Sequence, residues 1–312
     1  SFRHDIRNHI AVVKKLLQGG KLEEAVSYIE DMDDMAEKMH IKLTREKNDI
    51  EYCGTKAAGL FELEKMGIPI PKFYVVPVSF FRQFCSSVQA GSLYEFYQHT
   101  TFDSTIYQKF FAGQNIWVDC NELTDINGRF IVRSSAVPQE NTKKEEFSSK
   151  VSGVFESFIA DDFSEIGDMI IAVWQSVYSE EAYKKMHVFQ PEFEMHGMAA
   201  VVQQYIEPVI SGIVHTYSDK ICVDWIEGSQ EEILQGREQG QEIEIYLSDF
   251  GEMILRGKED SIKFVEECSR RRIFRELFDL SIMIQKKRCS EQEIEWVYDG
   301  DSVWIVQSQR LL

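Results

Sequence analysis

A chain of 312 residues with 44% hydrophobic and 12% aromatic content can bury at least one sizeable core and is expected to divide into two or three units. The 34 Lys+Arg against 52 Asp+Glu leave a formal net charge of -18, which argues against nucleic acid or an anionic membrane surface as the main partner. No apolar run approaches the roughly 18 residues of a membrane span. The six cysteines and seven histidines are scattered without zinc-ligand spacing, so reduced thiols and a cytoplasmic location are expected, whether alone or as the cytoplasmic part of a longer protein.

The first predicted element is an amphipathic helix, with Phe2, Ile6, Val13 and Leu16 on one seam and His9 filling the remaining seam position. Gln18-Gly19-Gly20 breaks it. Leu22, Ala25, Ile29, Met32, Ala36 and Met39 then repeat at heptad spacing, so residues 1–45 read as an antiparallel helical hairpin. A lone hairpin cannot bury both seams. A homodimer forming a four-helix bundle is the expectation, and a helical clip docked on the following domain is the alternative. At about 100° per residue His4 lies nearly opposite the Phe2–Ile6 stripe, facing solvent. Asp5 could orient or deprotonate its imidazole, and Asn8, one turn on, shares its face.

After a charged stretch from Lys42 to Glu51, residues 53–135 mix helix signals with β-branched runs, FYVVPVSF and RFIVRSSA. From Ala199 the chain reads as strands (AAVVQQYI, SGIVHTYS, KICVDWI, EIEIYL), then a helical stretch from Asp260 to Lys287, then two closing strands around Asp299-Gly300-Asp301. An α+β domain with mixed sheets over 50–312, with subdomains of about 50–190 and 191–312, is expected. In CGTKAAG, Lys56 sits in a small-residue loop opening a helix, a place where backbone amides and a point charge meet phosphate. Arg133 ends an apolar strand before a Ser/Gly-rich, charged flap reaching Ser152 and Gly153, an arrangement suited to gripping and covering a phosphate. A structural arginine beside a surface loop is the other reading.

Taken together these segments resemble the ATP-binding domain of the phosphoenolpyruvate synthase and pyruvate phosphate dikinase family, an ATP-grasp fold. The resemblance spans roughly 50–312. It rests on Gly54-Thr55-Lys56-Ala57-Ala58-Gly59-Leu60 with Gly67-Ile68-Pro69-Ile70-Pro71, on Val132 to Ala136, on Ala200 to Thr216, on Gly228 to Gly236, and on Glu295 to Gln307. It implies that Lys56 and Arg133 hold ATP phosphates, that Gly153 belongs to the covering flap, and that Gln203 and Tyr205 lie along the adenine hinge. Glu231 would line the nucleotide pocket, and Glu295 with Gln307 would hold Mg²⁺. Three departures stand out. Gln309 replaces a family arginine, with Arg310 one step along on the opposite face; Ser218 replaces an aspartate, with Asp219 adjacent; Thr55 and Ala57 replace glycines.

FRHDIRNHI resembles the phosphoacceptor helix of sensor histidine kinases, and LLQGGKLEEAVSYIEDM the turn and second helix of their dimerisation hairpin. The two resemblances together imply an atypical histidine kinase in which an ATP-grasp domain phosphorylates His4, with a response-regulator receiver domain as the natural partner. Two other readings stay open: a small-molecule phosphotransferase related to phosphoenolpyruvate synthase, and a non-catalytic nucleotide-binding sensor.

Overall fold

Alternating apolar runs from residue 210 onward become one large sheet, and those before it a smaller one. The computed structural model describes residues 12–22, 24–26, 39–90, 93–98, 101–103, 110–124, 126, 128–138, 147–148, 150–151, 153–189, 195–229 and 240–311. In chain order the elements begin β1 (Met39–Lys42), α1 (Ile50–Lys65), β2 (Phe73–Val76), α2 (Val78–Ser87), α3 (Leu93–Gln98), β3 (Ile116–Asp119), β4 (Phe130–Pro138) and β5 (Ser157–Ala160). Next come α4 (Ile166–Ser176), α5 (Glu180–Phe189), β6 (Met195–Gln204), β7 (Ile210–Thr216), β8 (Lys220–Glu227), β9 (Gln241–Leu247) and β10 (Met253–Gly257). The chain closes with α6 (Glu259–Glu266), α7 (Cys268–Arg288), β11 (Gln292–Tyr298) and β12 (Val303–Arg310).

The small sheet is antiparallel, in the order β2-β6-β4-β5, and the large one runs β10-β9-β8-β7-β11-β12, also antiparallel; β1 and β3 form a separate parallel pair. The architecture is thus mixed α/β. The passage from one sheet to the other is the short segment 205–209. On the far side of the small sheet, α2 and α4 bring Phe81, Phe84 and Trp174 into ring contact within one core. Helix α7 buries Ile273, Phe274, Leu277, Phe278, Ser281 and Ile284, the i, i+4 stripe of one face, against the large sheet. There Phe274 meets Trp225 and Trp296 edge-on. Helix α1 adds Leu60, Phe61 and Leu63 to that second core, which also takes Phe73 and Val75 from the small sheet. Its position between the sheets sets the geometry of the cleft.

Three expectations change. Met39, assigned to the heptad, starts strand β1, paired with Ile116, because an edge for it exists only once β3 is in place. The PVSF half of FYVVPVSF is not strand: Pro77 precedes α2, its fixed φ suiting a helix entry. Arg133 does not end its strand. β4 runs on through Ser134 and Ser135 to Pro138, paired throughout with β6, and both serines are buried because their hydroxyls find carbonyls. The small-residue segment around Lys56 does open a helix as expected: Gly54, at φ +77°, breaks α1 near its start, and the long part of the helix runs on from there through Lys56.

Near the N-terminus residues 12–18 are helical and turn at Gly19-Gly20, where Gly20 takes φ +71°. His4, Asp5 and Asn8, and with them the phosphoacceptor and dimer expectations, lie outside the described residues. Among the described residues no helix is long and apolar enough to cross a membrane, and all six cysteines are free thiols.

Candidate functional site

The site is built where α1, β4, β6 and the β11–β12 pair converge. Gly54 interrupts α1 with φ +77°, and a Cβ there would stand 2.2 Å from the Ser135 carbonyl oxygen. Only glycine allows this approach. The Ser135 hydroxyl bridges the break, donating to the Cys53 carbonyl (2.8 Å) and accepting from the Ala57 N–H (3.1 Å). Of the backbone amides in this small-residue segment, that of Ala57 is therefore already engaged. Lys56 donates to Ser134 Oγ at 3.3 Å. Burial of its ammonium, reinforced by the nearby Arg133 charge and opposed by Glu295, lowers its pKa from 10.5 to about 8.

Arg133 crosses from the small sheet to the large one. Its Nη2 pairs with Glu295 Oε2 at 2.6 Å, and its Nη1 donates to the Val306 carbonyl at 3.0 Å and to Gln203 Oε1 at 3.4 Å. Glu295 and Gln307 are cross-strand partners, followed by a register shift in which Trp296 pairs with Ile305. Val306 is the extra residue of that bulge, and its carbonyl serves Arg133. Three polar atoms here are buried without a hydrogen-bond partner: Arg133 Nε, Gln203 Nε2 and Gln307 Oε1. Residues Arg133, Gln203, Tyr205, Ile206, Ser211 and Glu295 are among those lining a cavity of about 70 Å³ at this junction. The Tyr205 ring lies under the Arg129 guanidinium, 4.7 Å from its centroid, and that guanidinium also pairs with Glu207.

Of the sequence-expected residues, Arg133, Gln203, Tyr205 and Glu295 share the cavity walls, Gln307 joins them by strand pairing with Glu295, and Lys56 reaches Ser134, beside Arg133, close enough for the charges of Arg133 and Glu295 to act on its ammonium. Gly153 sits in a turn at φ +65°, its carbonyl accepting from Lys185, and does not line this cavity. Glu231 lies outside the described residues.

Sequence reasoning missed Glu293 and His215. Glu293 accepts from Gln309 Nε2 at 2.5 Å and meets His215 Nε2 at 3.3 Å. That contact raises the His215 pKa and lowers that of Glu293. The alternation in EIEW, which puts Glu293 on the same face as Glu295, was the available signal. Beside this row a second, larger cavity of about 330 Å³ opens between α1 and the ends of β11 and β12, lined by Thr55, Gly59, Arg288, Gln309 and Arg310 among others.

Glu295 and Gln307 fit a hard divalent cation: both offer oxygen, and the Gln307 Oε1 is a buried acceptor with no donor. Among the described residues no group of three or more His, Cys, Asp or Glu is arranged to hold a metal. A cation bound to this pair would therefore draw its remaining ligands from water and from a second ligand such as phosphate.

A probable phosphoenolpyruvate synthase of Archaeoglobus fulgidus is 24% identical over 310 residues, covering 85% of this chain but 40% of its own length, so the chain spans well under half of that relative. Among solved structures, D-alanine–D-alanine ligase of Bacillus anthracis complexed with ATP aligns with a TM-score of 0.35 and 11% identity, over 83% of this chain and 55% of the ligase. An acetyl-coenzyme A synthetase of Ca. Korarchaeum cryptofilum, in complex with coenzyme A and Ca-AMPCP, aligns with a TM-score of 0.34 and 10% identity, over 82% of this chain and 92% of its own. The family model of the pyruvate phosphate dikinase AMP/ATP-binding domain matches residues 114–311. That stretch contains Arg133, Gln203, Glu295 and Gln307, while Lys56 precedes it. It covers more than half of the sequence, and the chain belongs to the pyruvate phosphate dikinase AMP/ATP-binding domain family.

Proposed function

We propose that this chain is the ATP-binding, phosphoryl-donating part of a small-molecule phosphotransferase related to phosphoenolpyruvate synthase, built as an ATP-grasp domain. The observation that carries the reading is the cluster of Lys56, Arg133, Gln203, Glu295 and Gln307 at the junction of the two sheets, which gathers two cations and a carboxylate–amide pair in one place. Phosphoryl transfer asks for this combination: positive charge on the phosphates, a divalent ion on their oxygens, and fixed in-line geometry.

In this reading Gln203, Tyr205 and the chain to Ile206 bound the adenine, Lys56 and Arg133 hold phosphate oxygens, and Glu295 with Gln307 hold Mg²⁺, which neutralises charge on those oxygens. Gly153 belongs to the flap covering the phosphates, and Glu231, which lies outside the described residues, is kept as a candidate for the nucleotide pocket. The family match and the synthase relative favour a small-molecule acceptor over protein-histidine signalling, whose residues His4, Asp5 and Asn8 have no support from either.

The test is calorimetric titration of MgATP into wild type, Lys56→Ala and Glu295→Gln, followed by product analysis with β- and γ-labelled ATP. Tight binding lost in both variants, with label released as phosphate or passed to an added acceptor, supports the reading. Acid-labile label retained on the chain and abolished by His4→Ala would replace it with the histidine-kinase reading, and a receiver domain would then become the partner to seek. Binding without turnover under any acceptor would leave a nucleotide sensor.

A further inference from the structure

We infer that Arg133 is a built-in occupant of the divalent-cation position, and that it must be drawn off Glu295 by a nucleotide phosphate before a metal can bind there. The inference rests on the nucleotide-and-metal reading above and deepens it. It starts from an incompatibility: the carboxylate that would ligate the cation already holds a guanidinium, Arg133 Nη2 to Glu295 Oε2, at 2.6 Å. A divalent ion on the same oxygen would sit beside a permanent positive charge in a cleft where little water screens the two.

The hydrogen-bond pattern around Arg133 is divided in a way that permits an exchange. Nη1 is held by neutral acceptors, the Val306 carbonyl and Gln203 Oε1, neither of which needs to leave. Nη2 alone is committed to Glu295. A phosphate oxygen reaching Nη2, or the buried and unpartnered Nε, would take over the charged contact without dismantling the rest. The released carboxylate then faces Gln307 Oε1, across one cross-strand pair, and that buried oxygen is without a donor as long as no cation is present.

The cavity at the junction, about 70 Å³, has room for waters but not for a nucleotide, so it must widen to admit one, and Arg133 and Glu295 are both in its wall. Because Arg133 stands on β4 and both Glu295 and Val306 on the large sheet, it is also a tie between the two sheets. Nucleotide and metal are consequently linked through one side chain: each favours the state in which the guanidinium has left the carboxylate, and each must raise the affinity for the other.

The test is Mn²⁺ binding followed by electron paramagnetic resonance on the whole chain, without nucleotide and with a non-hydrolysable ATP analogue. Wild type should show no bound Mn²⁺ without nucleotide and a protein-bound ternary signal with it. Arg133→Met should gain nucleotide-independent Mn²⁺ binding, tighter than wild type by about tenfold or more, the usual scale of coupling between two ligands. The double variant Arg133→Met with Glu295→Gln should lose that gain. Wild-type protein binding Mn²⁺ at Glu295 without nucleotide, detected as a signal abolished by Glu295→Gln, would overturn the inference while leaving the proposed function standing. Wild type that binds no Mn²⁺ with the analogue, together with an Arg133→Met variant that gains none, would overturn both. Wild type that binds Mn²⁺ at Glu295 without nucleotide refutes the inference even if Arg133→Met fails to fold.

Discussion

Replacing Gly54 by alanine should unsettle the cleft from its base. A backbone at φ +77° and ψ 174°, a region open essentially to glycine alone, costs a residue bearing a Cβ about 1–3 kcal/mol. The new methyl would lie 2.2 Å from the Ser135 carbonyl oxygen and 2.4 Å from its hydroxyl. Since ordinary contact is about 3.5 Å, α1 and β4 would have to part by roughly 1 Å. That separation breaks both hydrogen bonds of Ser135 Oγ, to Cys53 and from Ala57, at about 1 kcal/mol each. Strain in the neighbouring core adds about 1 kcal/mol or more. The total, about 4–6 kcal/mol, is a large share of the 5–15 kcal/mol by which domains are typically stable. Urea unfolding should show the loss directly, with melting about 10 °C lower. Gly67→Ala is the control: its φ is +79°, yet nothing lies within 4 Å of the added Cβ, so only the backbone effect of about 1 kcal/mol remains. If Gly54→Ala destabilises no more than Gly67→Ala, the close approach of helix and strand is not what demands glycine.

Nucleotide affinity should hold steady below about pH 8 and fall above it as the Lys56 ammonium, depressed to about 8 by burial, loses its proton; Lys56→Arg should remove the inflection in calorimetric titrations. In the ligand-free chain the same depression has the opposite sign. Between about 8 and 10.5 the unfolded chain holds a proton that the folded one has lost, so thermal stability should rise with pH across that window. The Arg288 guanidinium ties Gly59 and Glu62 of α1 to Gln292 of β11 and Ser308 of β12. Arg288→Met should therefore lower stability by about 2–3 kcal/mol in urea, and Arg288→Lys should recover little because one ammonium cannot span those acceptors. Glu293→Gln should return the His215 pKa toward its ordinary value in an NMR titration, since the contact with Glu293 is the largest cause raising it. With that contact gone, the stability that wild type has below pH 6.5 and loses as the pH rises through the raised His215 pKa should disappear.

What could be read from the chain alone follows the range of the interactions involved. Period-two runs such as KICVDWI and SVWIVQSQ carry their own evidence and became β8 and β12 at nearly the expected places. The short strands MHIK, SFIA and MILRG do not, since four or five residues with mixed polarity become strands only when a partner edge is offered, as Ile116–Asp119 offers to MHIK. Arg133 looked like the last residue of its strand because two serines follow it. Their burial depends on carbonyls of Phe155 and Cys53, far along the chain, which no local pattern reveals. Lys56, Glu295 and Gln307 were found through motif likeness, whereas the ion pair joining Arg133 to Glu295 spans 162 positions and exists only because the two sheets face each other. Glu293 was legible from alternation and passed over for want of a reason to look.

The bulge on β12 has a meaning for variants that change length rather than identity. Taking out Val306 would leave Gln307 opposite Glu295 and let the ladder run without interruption, so a shortened chain could form a more regular sheet. It would, however, forfeit the carbonyl that turns toward Arg133. A deletion neutral or favourable to folding would therefore strip the guanidinium of one of its neutral anchors, and an insertion there would move that anchor away. At this position the irregularity is the useful part, and selection for a smoother sheet would run against selection for a well-aimed arginine.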